Sequence, residues 1–464
     1  MSRKLDIQNV APERVSVIGA AKSGIAAAKY LHSRGSKVFI SEGCGHTRLE
    51  DILQSEGLSR VECEADGHSE KILESDLIIL SPGVRSDLAV LAKATRMGIP
   101  VWSEMELGYK VSKAPFLAVT GSSGKSTTVS LLGSVLDSAG HESVVAGNIG
   151  LPVVSVTPGL SENAFVVAEV SSFQLETVDA FRPRVAAVLN LMKNHLDRYT
   201  DEEEYYNAKK RIARNLNQDD YLVLNMHDRR LRVWAEEFSS RTSVLYFGSQ
   251  DRGGDGVFYI DGGISYRFGG SSGVLLDNVS KMKLGGKHNY ENACAAAAVA
   301  VAAGVDPDRI AAGLCSFSGL PHRLEYVGQT GGIVFYNDSK STTAESIECA
   351  VSAFDSAVHL IAGGKDKGCD FSVVLDAIRG NVKSIVLIGE AADRMFSQWK
   401  DVVEVRKART LNEALLLSFE NARSGEKVVF SPGCSSFDMF KNFEHRGEVF
   451  RKAVQDLVSE REQK

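Results

Sequence analysis

What this chain lacks narrows its function before any motif is read. None of its seven cysteines (Cys44, Cys63, Cys294, Cys315, Cys349, Cys369 and Cys434) stands in a CxxC pair or another paired spacing. That excludes a disulfide framework and a thiolate zinc site, and leaves reduced thiols. There is no run of Lys and Arg, and the net charge is −6. No nucleic-acid surface is expected, although a nucleotide site needs only a local positive patch. The longest unbroken apolar run, residues 293–303, is mostly alanine; at about half a membrane span it reads as a buried helix. The opening residues pass from polar straight into a strand, without the apolar core of a secretion signal. Repeats and low-complexity tracts are absent as well. What remains is an ordinary balance of 44% hydrophobic and 24% charged residues over 464 positions. It predicts a cytoplasmic α/β protein of roughly three domains, monomeric, with no nucleic-acid partner and no membrane span.

The strongest chemistry lies in residues 116–128, FLAVTGSSGKSTT. An apolar strand runs into a Gly/Ser turn, and a helix opens at Lys125. Such a turn cradles phosphate. Gly121, Ser122, Ser123 and Gly124 would curl backbone N–H groups around phosphate oxygens, and the helix start adds partial positive charge. Lys125 would reach the terminal phosphates, while the hydroxyl of Ser126 or Thr127 would ligate Mg²⁺. Val119 stands where the longer GxxxxGK[ST] loop has glycine, so this loop is a shorter TGxxGK form.

Around this loop the chain alternates short apolar strands with helical stretches, which implies parallel sheets. In the first segment Gly19-Ala-Ala-Lys-Ser-Gly24 follows a strand. Ala21 replaces the middle glycine of a dinucleotide turn, so the segment is either a plain Rossmann-like turn or a seat for a diphosphate. Glu42 follows the second strand, where a ribose- or base-reading group sits, and Ser81-Pro-Gly83 follows the third. Beyond the phosphate loop, Gly147-Asn148-Ile149-Gly150 closes a βα unit. A strand at 165–170 delivers Glu169, either as a second Mg²⁺ ligand or as a helix cap. His195 follows another strand end, with Asp197 and Arg198 close by, and is assigned a site role. Lys209 and Lys210 fall on different faces of a helix, and spacing alone leaves both as surface charges. Asn289 and Asn292 open the alanine-rich helix, as readers of a purine or ribose or as N-caps. A third α/β segment from about residue 320 carries Arg323, Asp338, Lys340 and Lys367, and ends its strands in polar loops.

The motifs TGSSGKST, GNIG, EVSSFQLE, NHLDRY, YNAKKRI, GKHNYENA, LPHR, NDSKST and SPGCSSFDMFKNFEHRG occur in that order. Together they resemble the Mur ligase family over nearly the whole chain. The resemblance implies three domains: a Rossmann-like domain for a UDP-sugar (1–112), a P-loop domain for ATP (113–319), and a Rossmann-like domain for the incoming amino acid (320–464). It implies an ATP-dependent amide ligase that works through an acyl phosphate in peptidoglycan precursor synthesis. The branch it points to adds D-glutamate to UDP-N-acetylmuramoyl-L-alanine. Residue by residue, Lys125 would hold the β- and γ-phosphates. Ser126, Glu169, His195 and a carbamylated Lys209 would hold two Mg²⁺, which revises the surface reading of Lys209. Asn292, Arg323, Asp338 and Lys340 fall on the nucleotide side. Gly19, Glu42, Ser81, Gly83, Asn148 and His195 fall toward the nucleotide sugar. Lys367, Ser436, Phe437 and Phe443 fall toward the amino acid. Phe437 stands where the branch often has leucine, and no DNPR-like motif of the diaminopimelate- or lysine-adding siblings occurs.

Two other classes compete. A sibling ligase, such as a folylpolyglutamate-type enzyme, shares the ATP domain but lacks this N-terminal arrangement. A P-loop ATPase that does not ligate leaves the lysine-bearing loops of the third segment without a role. A dehydrogenase reading of residues 19–24 is disfavoured by Ala21 and by the downstream phosphate loop.

Overall fold

The computed structural model describes residues 7, 11–43, 45–193, 198–251, 253–284, 286–354, 357–366 and 368–462. Three sheets build a three-domain α/β fold, and by internal packing the chain divides into two compact units, Met1–Phe317 and Ser318–Lys464.

The first unit holds two sheets. Its five-stranded sheet orders Glu62–Glu64, Lys37–Ser41, Arg14–Ile18, Leu77–Leu80 and Val101–Ser103, all parallel. Leu77–Leu80 reads LIIL and is buried at every residue, as a parallel strand covered on both faces requires. The nine-stranded sheet places Phe116–Thr120 between Val185–Val188 on one side and Phe165–Glu169 on the other. Successive strands depart in both directions from this point, which opens a crevice at their carboxyl ends. The alanine run folds as the helix Lys287–Ala302, with residues 293–300 fully buried. A second helix, Pro307–Ser316, approaches the helix Lys125–Ser138 so closely that a Cβ on Gly313 would lie 2.4 Å from Val135 Cα.

Two buried carboxylates join the sheets of this unit. The helix Glu104–Val111 leaves the first sheet and leads to the strand Phe116–Thr120. Glu106, fully buried, accepts from the N–H groups of Asp179 (3.0 Å), Ala180 (2.8 Å) and Phe181 (2.9 Å), with Lys110 Nζ at 3.4 Å. Glu104 accepts from Val154 N–H at 2.7 Å, and burial pushes its carboxyl up to about 7.

The second unit is a six-stranded sheet ordered Glu325–Thr330, Ile333–Asn337, Lys427–Phe430, Val358–Gly363, Val382–Ile388 and Glu404–Lys407, with only the first strand antiparallel. At the amino ends of its strands, buried His359 bridges Ser384 Oγ and Glu426 Oε2, both at 2.8 Å. Ser384 is buried too, so the trio is a polar tie within the sheet rather than a nucleophile.

Glu106→Ala leaves three backbone N–H groups unpaired in the interior. The first urea transition is expected to move to lower urea, by roughly 3 kcal/mol. Urea unfolding followed by tryptophan fluorescence checks this, and an unmoved first transition would show that the three bonds are dispensable.

Candidate active site

The phosphate loop is held by the segment that follows the strand Val185–Val188 and by the helix Glu202–Lys210. Gly124 adopts a left-handed conformation (φ +80°) and starts the helix Lys125–Ser138; a Cβ there would lie 2.5 Å from Asn292 Oδ1. Ser122 and Ser123 N–H both donate to Asn190 Oδ1 at 2.9 Å, from just beyond the strand Val185–Val188. Ser122 Oγ exchanges hydrogen bonds with the backbone of Met192, each 2.9 Å. Lys125 Nζ folds over the loop and donates to the carbonyls of Gly121 (2.9 Å) and Ser122 (3.1 Å). Ser126 and Thr127 are buried in the first helical turn, and Thr128 Oγ1 lies 3.4 Å from Asn292 Oδ1. Asn292 therefore faces the loop rather than capping its own helix, which begins after Gly286 with no side-chain cap. Asn289 is buried one turn earlier on the same helix.

Glu169 ends the strand next to the loop strand, in register with Val119, and is 2% exposed. Its Oε1 accepts from Asn148 Nδ2 at 2.7 Å, while Oε2 is buried without a hydrogen-bond partner. The helix Ser172–Leu175 is capped by Ser171 in a capping box with Gln174, so Glu169 does not serve as its cap. Thr120 Oγ1, just before the loop, is likewise buried without a partner. Buried oxygens of this kind are costly unless something satisfies them, and a hard divalent cation does.

Lys209 corrects the surface assignment made from spacing. Its side chain is 1% exposed, Nζ donates to Gly121 O at 2.9 Å, and the amine lies 4.6 Å from the Tyr205 ring centroid. Desolvation first, then the charge of Lys125, push its amine down to about 6, against the pull of Glu169. At neutral pH it is an uncharged nucleophilic amine beneath the phosphate loop. Lys210, one residue on, does point outward and pairs with Glu237.

At the carboxyl edge of the first sheet, Glu42 spans the Gly19 turn. Its carboxylate accepts from Ala20 N–H at 2.5 Å and Gly43 N–H at 2.7 Å. Ser81 Oγ donates to Gly19 O at 2.8 Å, and Gly83 follows in the same turn. Arg198 Nη1 donates to Pro82 O (2.9 Å) and Nη2 to Val84 O (3.0 Å).

In the second unit, Asp338 accepts from Ser431 Oγ (2.8 Å) and Leu324 N–H (3.2 Å), and burial pushes its carboxyl up to about 7. Arg323 Nε is buried without a partner, while its charge favours the Asp338 carboxylate. Lys340 Nζ lies 5.8 Å from the Phe443 ring centroid. Ser436 is buried and Phe437 is 71% exposed. Arg446, also buried, ties this edge together: Nη2 donates to Ser339 O (2.8 Å), Nε to Ser339 Oγ (3.0 Å) and Nη1 to Cys434 O (3.0 Å). Two assigned residues, His195 and Lys367, lie outside the described residues. Asn190, Tyr205 and Arg446 are structural partners of the site that spacing did not mark out, since each acts through a neighbour distant in sequence.

The chain matches the family descriptions "Mur ligase MurD-like, N-terminal domain" over residues 13–103, "Mur ligase middle domain" over 119–300, and "Mur ligase, glutamate ligase domain" over 322–434. It is 40% identical over 448 residues to a UDP-N-acetylmuramoylalanine--D-glutamate ligase of Geotalea daltonii, covering 96% of this chain and 98% of that one. A ligase of the same name from Koribacter versatilis is 38% identical over 456 residues, covering 97% and 99%. Among solved structures, MurF from Acinetobacter baumannii superposes with a TM-score of 0.60 at 19% identity over 91% of each chain, a likeness of fold alone.

The buried lysine has a measurable signature. The unfolded chain keeps a proton on Lys209 up to about pH 10.5, and the folded chain only below about 6. Between these values the unfolded state binds the extra proton, so this residue makes stability rise with pH. In bicarbonate-free buffer at pH 7, Lys209→Met is expected to be more stable than the parent by on the order of a few kcal/mol. The gap should shrink toward pH 10 in urea titrations. A constant gap from pH 7 to 10 would mean that Lys209 is not held neutral by folding.

Proposed function

The chain belongs to the Mur ligase family, and from that membership we propose that it joins D-glutamate to UDP-N-acetylmuramoyl-L-alanine at the expense of ATP, in the cytoplasm. The observation that carries this reading is Lys209, a neutral amine buried beside Glu169 under a phosphate loop. The acceptor and donor follow from the names of the full-length relatives.

The nucleotide-sugar carboxylate takes the γ-phosphoryl group of ATP, and the amine of D-glutamate then displaces phosphate from the acyl phosphate to form the amide. The loop N–H groups of residues 121–124, with those of Ser122 and Ser123 released from Asn190 Oδ1 and Lys125 Nζ released from the loop carbonyls, hold the β- and γ-phosphates and stabilise the charge that develops in transfer. Asn292, and in the second unit Arg323, Asp338 and Lys340, are assigned to the nucleotide. Mg²⁺, when bound, neutralises phosphate charge. No cluster of three or more His, Cys, Asp or Glu side chains suited to a metal occurs among the described residues. By the family resemblance, Ser126 Oγ, the unpartnered Glu169 Oε2, a carbamate on Lys209 and the His195 imidazole would hold it. Carbamylation fits the neutral amine: its nitrogen bonds to CO₂, a proton leaves, and an anionic oxygen pair replaces a group that does not ligate Mg²⁺. Gly19, Glu42, Ser81, Gly83, Asn148 and His195 are assigned to the nucleotide sugar. Lys367, Ser436, Phe437 and Phe443 are assigned to D-glutamate, whose two carboxylates call for a cation and N–H donors. The domains are taken as 1–112, 113–319 and 320–464, in a monomeric enzyme.

Phosphate release from ATP is expected only when UDP-N-acetylmuramoyl-L-alanine and D-glutamate are both present, with L-glutamate, D-alanine, L-lysine and meso-diaminopimelate inactive. Release with another amino acid would move the enzyme to a sibling ligase, and no stimulation by any pair would leave a plain ATPase. Lys209→Ala is expected to lower kcat by about 100-fold or more, with partial recovery in added formate or acetate. Full activity without additives would remove the carbamate from the mechanism.

A further inference from the structure

Arg198 has no role in the mechanism above, yet few side chains in the first unit are as fully engaged. Its guanidinium meets Glu176 through both carboxylate oxygens, Nε to Oε1 at 3.2 Å and Nη2 to Oε2 at 2.8 Å. It stacks 4.2 Å from the Phe173 ring centroid, and its side chain and that of Glu176 are each 11% exposed. Tyr199 OH donates to the same Glu176 Oε1 at 2.7 Å. The remaining donor capacity goes to the first sheet: Nη1 to Pro82 O and Nη2 to Val84 O, on either side of Gly83. Glu176 lies just beyond the helix Ser172–Leu175, in the connection that leaves the Glu169 strand. One planar fork thus ties the turn after the third strand of the N-terminal sheet to the segment that follows the orphaned carboxylate.

The paired charge matters. A guanidinium held bidentate by a carboxylate is a poor ligand for phosphate but a strong handle on carbonyls. A trans peptide carries its N–H opposite its C=O, and the described residues contain no cis peptide. With the Pro82 and Val84 carbonyls turned onto Arg198, the N–H groups of Gly83 and Arg85 are turned the opposite way. The other side of the turn is fixed independently, by Ser81 N–H to Ile18 O (2.9 Å), Val84 N–H to Ser81 O (3.0 Å) and Ser81 Oγ to Gly19 O. The Gly83 and Arg85 N–H groups, either side of the Val84 N–H that Ser81 O already takes, thus share one face of the turn, where backbone donors offer a seat to an anion.

We propose that Arg198 is a positioning residue for the nucleotide sugar: braced by Glu176, it sets the 82–83 and 84–85 peptide planes so that the N–H groups of Gly83 and Arg85 face the diphosphate. This rests on the reading of the N-terminal cleft as the nucleotide-sugar site, and the test separates the two. Calorimetric titration of the full chain with UDP-N-acetylmuramoyl-L-alanine, with UDP alone and with a non-hydrolysable ATP analogue compares the parent with Arg198→Met, Arg198→Lys and Glu176→Gln. Arg198→Met is expected to weaken the nucleotide sugar and UDP alike, by 10- to 100-fold on the scale of a lost supporting contact. Arg198→Lys is expected to be intermediate, and the ATP analogue to shift less than twofold. In turnover, KM for the nucleotide sugar should rise while kcat and KM for ATP hold. If Arg198→Met does not fold, Arg198→Lys and Glu176→Gln carry the same comparison. Unchanged UDP affinity, or equal loss for UDP and the ATP analogue, would overturn the positioning role. A parent protein that binds neither UDP nor the nucleotide sugar would instead overturn the reading of the cleft.

Discussion

The organising constraint of the first unit is the cost of burying polar atoms around one turn of backbone. Thr120 and Gly121 leave the middle of a parallel sheet buried, so the groups they carry must find a partner inside the protein or in a ligand, while Ser122 to Lys125 rise partly exposed from its edge. A flanking strand and a nearby helix supply the partners. Asn190, beyond one flanking strand, takes the N–H groups of Ser122 and Ser123, Lys209 from the helix Glu202–Lys210 bonds the Gly121 carbonyl, and Glu169 ends the other flanking strand. The position of the loop strand at the switch of strand order is what lets two neighbours reach it at once.

Much of this was legible in sequence because it is local. The run FLAVT, the glycines at 121 and 124 and the lysine that follows specify strand, turn and helix without reference to the rest of the chain. Leu77–Leu80 and the alanine run were equally plain, since continuous apolar residues have few places to go. Lys209 was not legible from periodicity. On its helix Tyr205, Tyr206 and Ala208 are buried with it, but a lysine among tyrosines and alanines reads as solvated until the neighbouring sheet is known. The resemblance to known motifs recovered it where spacing did not. Asn190, Arg446 through Ser339, and the Glu104–Glu106 pair share that limitation: each is an ordinary polar residue with a partner dozens of positions away. The cap alternatives for Glu169 and Asn292 needed coordinates too, because a side chain near a helix start serves either the cap or the neighbour, and only geometry decides.

Buried charge in this protein falls into two kinds, and the difference is physical. Glu106 receives three backbone N–H groups and a lysine; Arg446 gives hydrogen bonds from all three guanidinium nitrogens; Arg198 and Glu176 satisfy each other and two carbonyls. Such groups recover their desolvation cost within the fold and are arranged to hold backbone segments in place. Glu169 and Lys209 do not recover it. One carboxylate oxygen has no partner, and the lysine sheds its proton because burial and Lys125 together make the charged form too costly. A fold selected for stability alone would replace these two residues with apolar ones of similar volume, as buried ion pairs usually permit. In the proposed reaction, ligands would supply what the protein withholds: positive charge for the carboxylate oxygen, and an electrophile for the amine. The satisfied groups hold the frame, and the unsatisfied pair stands beside the phosphate loop, where the proposed chemistry needs it.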